Sequence, residues 1–308
     1  MTDDSPKKTI QMPIMVALMV LLFVIWSNAF TSIKHLREVF SPMELVLARF
    51  LPFAVFSLFF LLSSGPRRRE SADILRVASL KIIGMGIFGI AGYNYFLYVA
   101  QTEIKPGAAA LLTTLSPLMT LILAVIFLKE KVPGRRIAGI ILAFAGLFVV
   151  VKYGKVGMGN LPGTSHADVR YALIATLAPL SWSIYTILGK DLVRTRGPFL
   201  ITCLSALIGT LPFLLLLDAG FAQKFYSMRL THWLALGHLT ILSTMVGFWL
   251  WNIALKNMPA TSVSSFIYLN PPFAAFFGWL FFHEEVTGLF LAGSAIVLAG
   301  LYLSQSKQ

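Results

Sequence analysis

Apolar residues in this chain run in ten long stretches, separated by short polar connections. The stretches cover about 13–33, 42–62, 80–101, 107–128, 134–152, 169–189, 198–217, 232–254, 260–282 and 286–304. A helix that crosses a bilayer needs roughly 20 mostly apolar residues, so each stretch predicts a membrane helix. The longest connections, Ser64–Ser79, Tyr153–Asp168 and Asp218–Thr231, leave no room for a separate soluble domain. Lys7 and Lys8 precede the first run as they would in a signal peptide. That run is too long for a signal h-region and no small-x-small cleavage site follows it, so it is expected to stay as the first membrane helix.

Composition agrees. Of 308 residues, 57% are hydrophobic and 12% charged, against roughly 25% charge in a soluble domain. The expected fold class is an all-α polytopic membrane protein with the lipid bilayer as a partner. A net charge of +12 would suggest nucleic acid in a soluble protein. Here the basic residues sit between apolar runs, where they set orientation, and no nucleic-acid partner is expected. Sixteen Lys and Arg fall on the amino-terminal side of the ten segments and eight on the other, with Arg49 inside the second. That excess predicts cytoplasmic termini in an inner membrane. The one cysteine, Cys203, lies in an apolar run and reads as a core residue.

The chain also repeats itself. Adding 154 maps Pro117 to Pro271, Glu130 to Glu284, Gly134 to Gly288, Gly139 to Gly293 and Ala145-Gly146-Leu147 to Ala299-Gly300-Leu301. Trp26-Ser27 and Trp182-Ser183 pair at an offset of 156. The expected domains are a five-helix half over 1–152, a connection over 153–168 and a second half over 169–308. Five crossings per half force opposite orientations, the inverted-repeat plan that puts a substrate site at the repeat interface near mid-membrane.

These residues carry a family resemblance over nearly the whole chain. Trp26-Ser27-Asn28-Ala29-Phe30 resembles the W-G-x-N-F opening of the EamA-type drug/metabolite transporter superfamily, with Ser27 where Gly is common. Pro42 with Ala48-Arg49-Phe50 resembles its second-helix element. Pro106 through Glu130, and again Pro259 through Glu284, resemble its fourth helix: small residues, a mid-helix Ser-Pro (Asn270-Pro271 in the second half), then a terminal acidic residue. The resemblance implies a ten-helix carrier of amino acids, nucleosides, other metabolites or drugs, often an exporter.

No G-x-x-x-x-G-K-[ST] loop is present to cradle ATP, and the five histidines and Cys203 form no metal-ligand pattern. No enzyme activity, cofactor or metal is expected. All thirteen carboxylates lie in tails, connections or near helix ends, which argues against the simplest carboxylate proton relay. Arg49 is costly inside a span unless paired or hydrated. Two readings stand: a contact or gate for an anionic substrate group, or a structural charge bonded to Glu44, backbone carbonyls or interfacial water. Glu130 and Glu284 close the fourth and ninth segments as interfacial anchors or as terminal ion pairs that open and close.

Amides and aromatics inside the spans are the candidate substrate contacts: Trp26, Asn28, Tyr93, Asn94, Trp182, Tyr185, Trp249, Asn252, Tyr268 and Asn270. Trp182 and Tyr185 share a helix face, and Asn94 needs a partner at that depth. Tyr98 and Trp251 read instead as interfacial anchors. Pro117, Pro179 and Pro271 are candidate helix bends. The expected function is alternating-access secondary transport of a small organic metabolite, with amino-acid export foremost. Nucleoside, sugar or drug transport is the alternative, and a membrane scaffold or lipid-handling protein the reading from another class. Oligomeric state is not encoded in any of these signals.

Overall fold

The computed structural model describes residues 11–102, 112–153, 166–282 and 288–305. Their regular structure is entirely helical: α1 (Met12–Leu36), α2 (Pro42–Leu62), α3 (Gly65–Val77), α4 (Ser79–Ala100), α5 (Ser116–Phe127), α6 (Gly134–Tyr153), α7 (His166–Arg196), α8 (Pro198–Leu216), α9 (Ala219–Lys224), α10 (Leu230–Asn257), α11 (Ala260–Ser265), α12 (Asn270–Phe282) and α13 (Gly288–Gln305). Among the described residues, α1, α2, α4, α8 and α10 are long and apolar enough to cross a membrane, and shorter apolar helices cover Ser116–Phe127 and Leu291–Gln305. Glu284 and residues 154–165 of the connection lie outside the described residues.

Local sequence sets the helix starts. Ser41 and Glu44 form a reciprocal capping box ahead of Pro42, which satisfies amides at the start of α2. Gly197 takes φ +88° between α7 and α8, a conformation that costs glycine little. Pro117 and Pro271 stand in the first turns of α5 and α12, the latter just after a 3-10 segment over Phe266–Leu269. Pro179 lies inside α7, which continues through it.

Glycine decides how closely the helices approach. A Cβ on Gly139 would strike the backbone of Gly300 and Ser304, and one on Gly146 the backbone of Val297 and Gly293. Gly300 in turn faces Ala143 and Gly139. As the numbering rises along α6 it falls along α13, so the two helices run antiparallel in direct backbone contact, a packing that small residues permit. Their contact forms a minor core of Ile140, Ala143, Tyr268 and Val297. The main core is built from α1, α2, α4, α7, α8 and α10.

Two helices carry π-helical stretches. Met85–Gly92 in α4 and His238–Val246 in α10 are wound as π-helix, a form found often at functional sites. The second stretch bonds Arg49 directly through Thr240 and Thr244, and the first reaches it through Asn94.

Candidate functional site: a buried arginine beside an aromatic cavity

Arg49 sits one-third of the way along α2, and its side chain is 5% exposed. Its Nε donates to Thr244 Oγ1 at 2.7 Å, and its Nη1 to Asn94 Oδ1 at 2.9 Å and Tyr98 Oη at 2.7 Å. The π segments position two of these partners. Thr244 donates to Leu239 O five residues back, and Asn94 Nδ2 reaches Gly89 O and Ile90 O. Thr240 donates to the backbone oxygen of Arg49 itself. All three side-chain acceptors of the guanidinium are neutral, and no carboxylate pairs with it among the described residues. A buried cation with dipoles but no counter-ion is solvated without being neutralised, a costly state that an incoming anion relieves.

Beside Arg49 is a cavity of about 40 Å³, lined by Trp26, Ala29, Phe30, Ile33, Arg49, Tyr93, Leu97, Thr113, Ser116, Trp182, Phe248, Ile267 and Asn270. A cavity that takes up benzene measures about 150 Å³, so this conformer is nearly closed. Its aromatic wall is continuous. Trp182 lies 5.3 Å from Trp26, 5.1 Å from Tyr93 and 5.3 Å from Phe248, centroid to centroid. Trp26 Nε1 donates to Ser243 O at 2.9 Å. Trp182 Nε1 is buried without an acceptor among the described residues, which leaves a donor free at the wall. Asn270 accepts from Ser27 Oγ at 3.1 Å.

The structure brings together Trp26, Arg49, Tyr93, Trp182 and Asn270 on this wall, with Asn94 holding Arg49 from behind. Tyr185 stacks on Trp182 at 5.0 Å and accepts from Asn252 Nδ2, so both lie one layer back. Asn28 is half-buried and off the wall. Tyr268 belongs to the minor core. Trp249 is 40% exposed and packs edge-on against Phe199, away from the cavity.

Three expectations require correction. Tyr98 and Trp251 are not interfacial anchors: both are fully buried, Tyr98 on Arg49 and Trp251 against Trp26 and Trp182. Residues two apart on a helix point roughly 200° apart, so Trp251 turns inward where Trp249 turns out. Glu44 does not pair with Arg49; it accepts from Lys224 Nζ at 2.6 and 2.7 Å. Sequence reasoning also missed Phe248, Thr113 and Ser116 as wall residues. Ser116 was findable, because it is the 154-residue counterpart of Asn270 and both face the cavity.

Glu130 caps α11 from a distant connection. Pro259 precedes that helix and offers no side-chain acceptor. Glu130 accepts instead from Ala260 N at 2.7 Å, Thr261 N at 3.4 Å and Thr261 Oγ1 at 2.9 Å. Lys190 donates to Leu255 O at 2.6 Å and to Met258 O, so α7 grips the end of α10 beside it.

The sequence profile of the EamA-like transporter family matches residues 13–152 and again 169–305. The chain belongs to the EamA-like transporter family. An "Uncharacterized transporter" of Archaeoglobus fulgidus is 27% identical over 284 residues, 92% of this chain and 95% of that protein. A "Probable terminal-alkyne amino-acid exporter" of Streptantibioticus cattleyicolor is 26% identical, covering 92% and 91%. A solved crystal structure superposes with a TM-score of 0.72 at 19% identity, over 95% of each chain, a likeness of fold alone. The EamA-like relatives are transporters or exporters by name and not enzymes, and this chain is a multi-pass membrane transporter for a small molecule.

Proposed function

We propose that this EamA-like chain is a ten-helix inverted-repeat secondary transporter that exports amino acids or closely related metabolites by alternating access, with both termini in the cytoplasm. The carrying observation is Arg49: a buried cation held only by neutral groups, at the edge of an aromatic cavity. A substrate carboxylate supplies its missing counter-ion. Trp26, Trp182, Tyr93 and Phe248 offer ring faces to an ammonium group and to apolar side chains. A neutral nucleoside or sugar would leave Arg49 uncompensated. A relative named as an amino-acid exporter supports the same class.

The repeat reading has structural support. Ser27 and Ser183, equivalent by sequence, each donate to the carbonyl four residues back and to the backbone oxygen of an equivalent partner, Asn270 and Ser116. The antiparallel contact of α6 with α13 is what two five-crossing halves require. Polar contacts support the proposed topology, since each joins segments assigned to one side: the ion pairs of Lys81 with Asp191, Arg196 with Asp73 and Lys224 with Glu44, and the His232 imidazole beside Glu38.

Counterflow in proteoliposomes tests the function. Preloaded unlabelled amino acids should drive accumulation of labelled ones without ATP. A hydrogen bond to a buried charge contributes about 1.5–3 kcal/mol, so Arg49→Gln should weaken amino-acid affinity roughly 10- to 150-fold while the protein remains folded. Exchange of nucleosides or sugars, undiminished in Arg49→Gln and with no amino-acid exchange, would overturn the substrate class.

A further inference from the structure

We propose that a groove between α2, α3, α8 and α10, on the side assigned to the cytoplasm, is a binding site for an anionic phospholipid. The groove has a volume of about 460 Å³. One end is basic and the other aromatic. Arg67, Arg196 and Lys256 supply the basic end; Phe60, Phe199 and Trp249 line the rest. The rings form a continuous wall, with Phe60 and Phe199 at 4.8 Å and Phe199 and Trp249 at 5.8 Å. The Arg67 guanidinium lies 4.3 Å from the Phe60 ring centre, which joins the two ends.

Helix geometry gives the groove its depth. Trp249, Ile253 and Lys256 follow i, i+4, i+7 spacing and share one face of α10. From Lys256 to Trp249 is about 10 Å at 1.5 Å per residue. Charge at the helix ends and an apolar strip descending beside it match a lipid, whose headgroup sits at the interface and whose chain enters the hydrocarbon.

The charge balance favours an anion. Glu70 lines the groove and Asp73 pairs with Arg196 at 2.7 Å, so the Arg196 charge is largely neutralised. Among the described residues the Arg67 guanidinium bonds a hydroxyl, Ser63 Oγ at 2.6 Å, and no carboxylate. Lys256 forms no ion pair or hydrogen bond among the described residues. Arg68 and Arg69 lie exposed beside Arg67 on α3. Basic pockets between helices at a cytoplasmic surface are where anionic headgroups bind. The groove does not share a residue with the central cavity, so the site does not depend on the substrate assignment.

The test uses purified full-length protein in detergent, with thermal unfolding and native mass spectrometry as readouts. Phosphatidylglycerol should raise the Tm by several degrees more than phosphatidylcholine does, and at least one phosphatidylglycerol should survive on the protein in the gas phase. Arg67→Gln with Lys256→Gln should abolish most of the difference between the two lipids while leaving the Tm in phosphatidylcholine unchanged. Trp249→Ala should weaken phosphatidylglycerol retention by itself. Equal stabilisation by the two lipids, or an undiminished difference in the double variant, overturns the proposal. So does an equal Tm rise from inorganic phosphate or glycerol phosphate, which would mark a site for small anions.

Discussion

Ser183 donates to the backbone oxygen of Ser116 at 3.1 Å, and the same contact recurs between Ser27 and Asn270 at 3.3 Å. In each contact the serine belongs to one sequence half and the acceptor to the other. The two contacts are equivalent at the 156-residue offset of the serines and the 154-residue offset of the acceptors.

That relationship makes sidedness testable. In a Cys203→Ala background, cysteines replacing Arg68 and Tyr226 should react with a membrane-impermeant maleimide from opposite sides. Tyr226 is 91% exposed in the connection after α9, and Arg68 is exposed on α3. Tyr226→Cys should label in intact cells, and Arg68→Cys only after permeabilisation. Labelling of both sites in intact cells would defeat the ten-crossing plan.

A second prediction sets a carboxylate against the substrate. Asn94 Oδ1 already accepts from Arg49 Nη1 at 2.9 Å, so Asn94→Asp places a permanent counter-ion behind the guanidinium that the substrate's carboxylate is proposed to neutralise from the cavity. The variant gains a charged acceptor for Arg49 and loses the Nδ2 donations to Gly89 O and Ile90 O, so its Tm in detergent is measured beside its affinity. Amino-acid affinity should fall tenfold or more. Unchanged affinity, measured by counterflow, would show that Arg49 is a structural charge alone.

The apolar runs made the helical class legible, because lipid imposes one length and one polarity on every crossing. The offset of 154 made the repeat legible. Individual site residues were read less well. Trp249 and Trp251 differ by two positions, and composition cannot say which faces inward; packing against Trp26 and Trp182 decides it. Arg49 was visible as an anomaly, but its partners Thr244 and Asn94 are set by π-helical turns, whose register is invisible in hydropathy. Ser116 is legible only through its repeat counterpart Asn270, because a serine in a membrane helix commonly bonds its own backbone.

Close packing between α6 and α13 predicts a sharp size limit. A methyl group at Gly300 meets the backbone of Ala143 and Gly139, which cannot rotate away as a side chain could. Overpacking of this kind costs about 1–3 kcal/mol, so Gly300→Ala should lower the Tm in detergent by several degrees. Gly288→Ala, where the added group meets nothing within 4 Å, should leave it nearly unchanged. Equal effects at both positions would mean the two helices do not approach as described.

The last prediction concerns the clamp on the α10–α11 junction. Glu130 caps the amides of Ala260 and Thr261, and Lys190 holds Leu255 and Met258 a few residues away. At the other end of the bundle, Glu44 and Lys224 pair between α2 and α9. With both ends tied and only about 40 Å³ between them, alternating access requires one tie to release at a time. Loss of a helix cap costs about 0.5–2 kcal/mol. Glu130→Ala should therefore speed hydrogen exchange at the Ala260 and Thr261 amides by roughly 2- to 30-fold, with little change in α6 and α13. In transport, that variant should favour the state open at the Glu130 end, and amino-acid exchange should become asymmetric between the two sides of the bilayer. Glu130→Gln keeps an acceptor oxygen and should fall between wild type and alanine in both measurements. Faster exchange with symmetric transport would make Glu130 a cap without a gating role. Unchanged exchange would remove the clamp altogether.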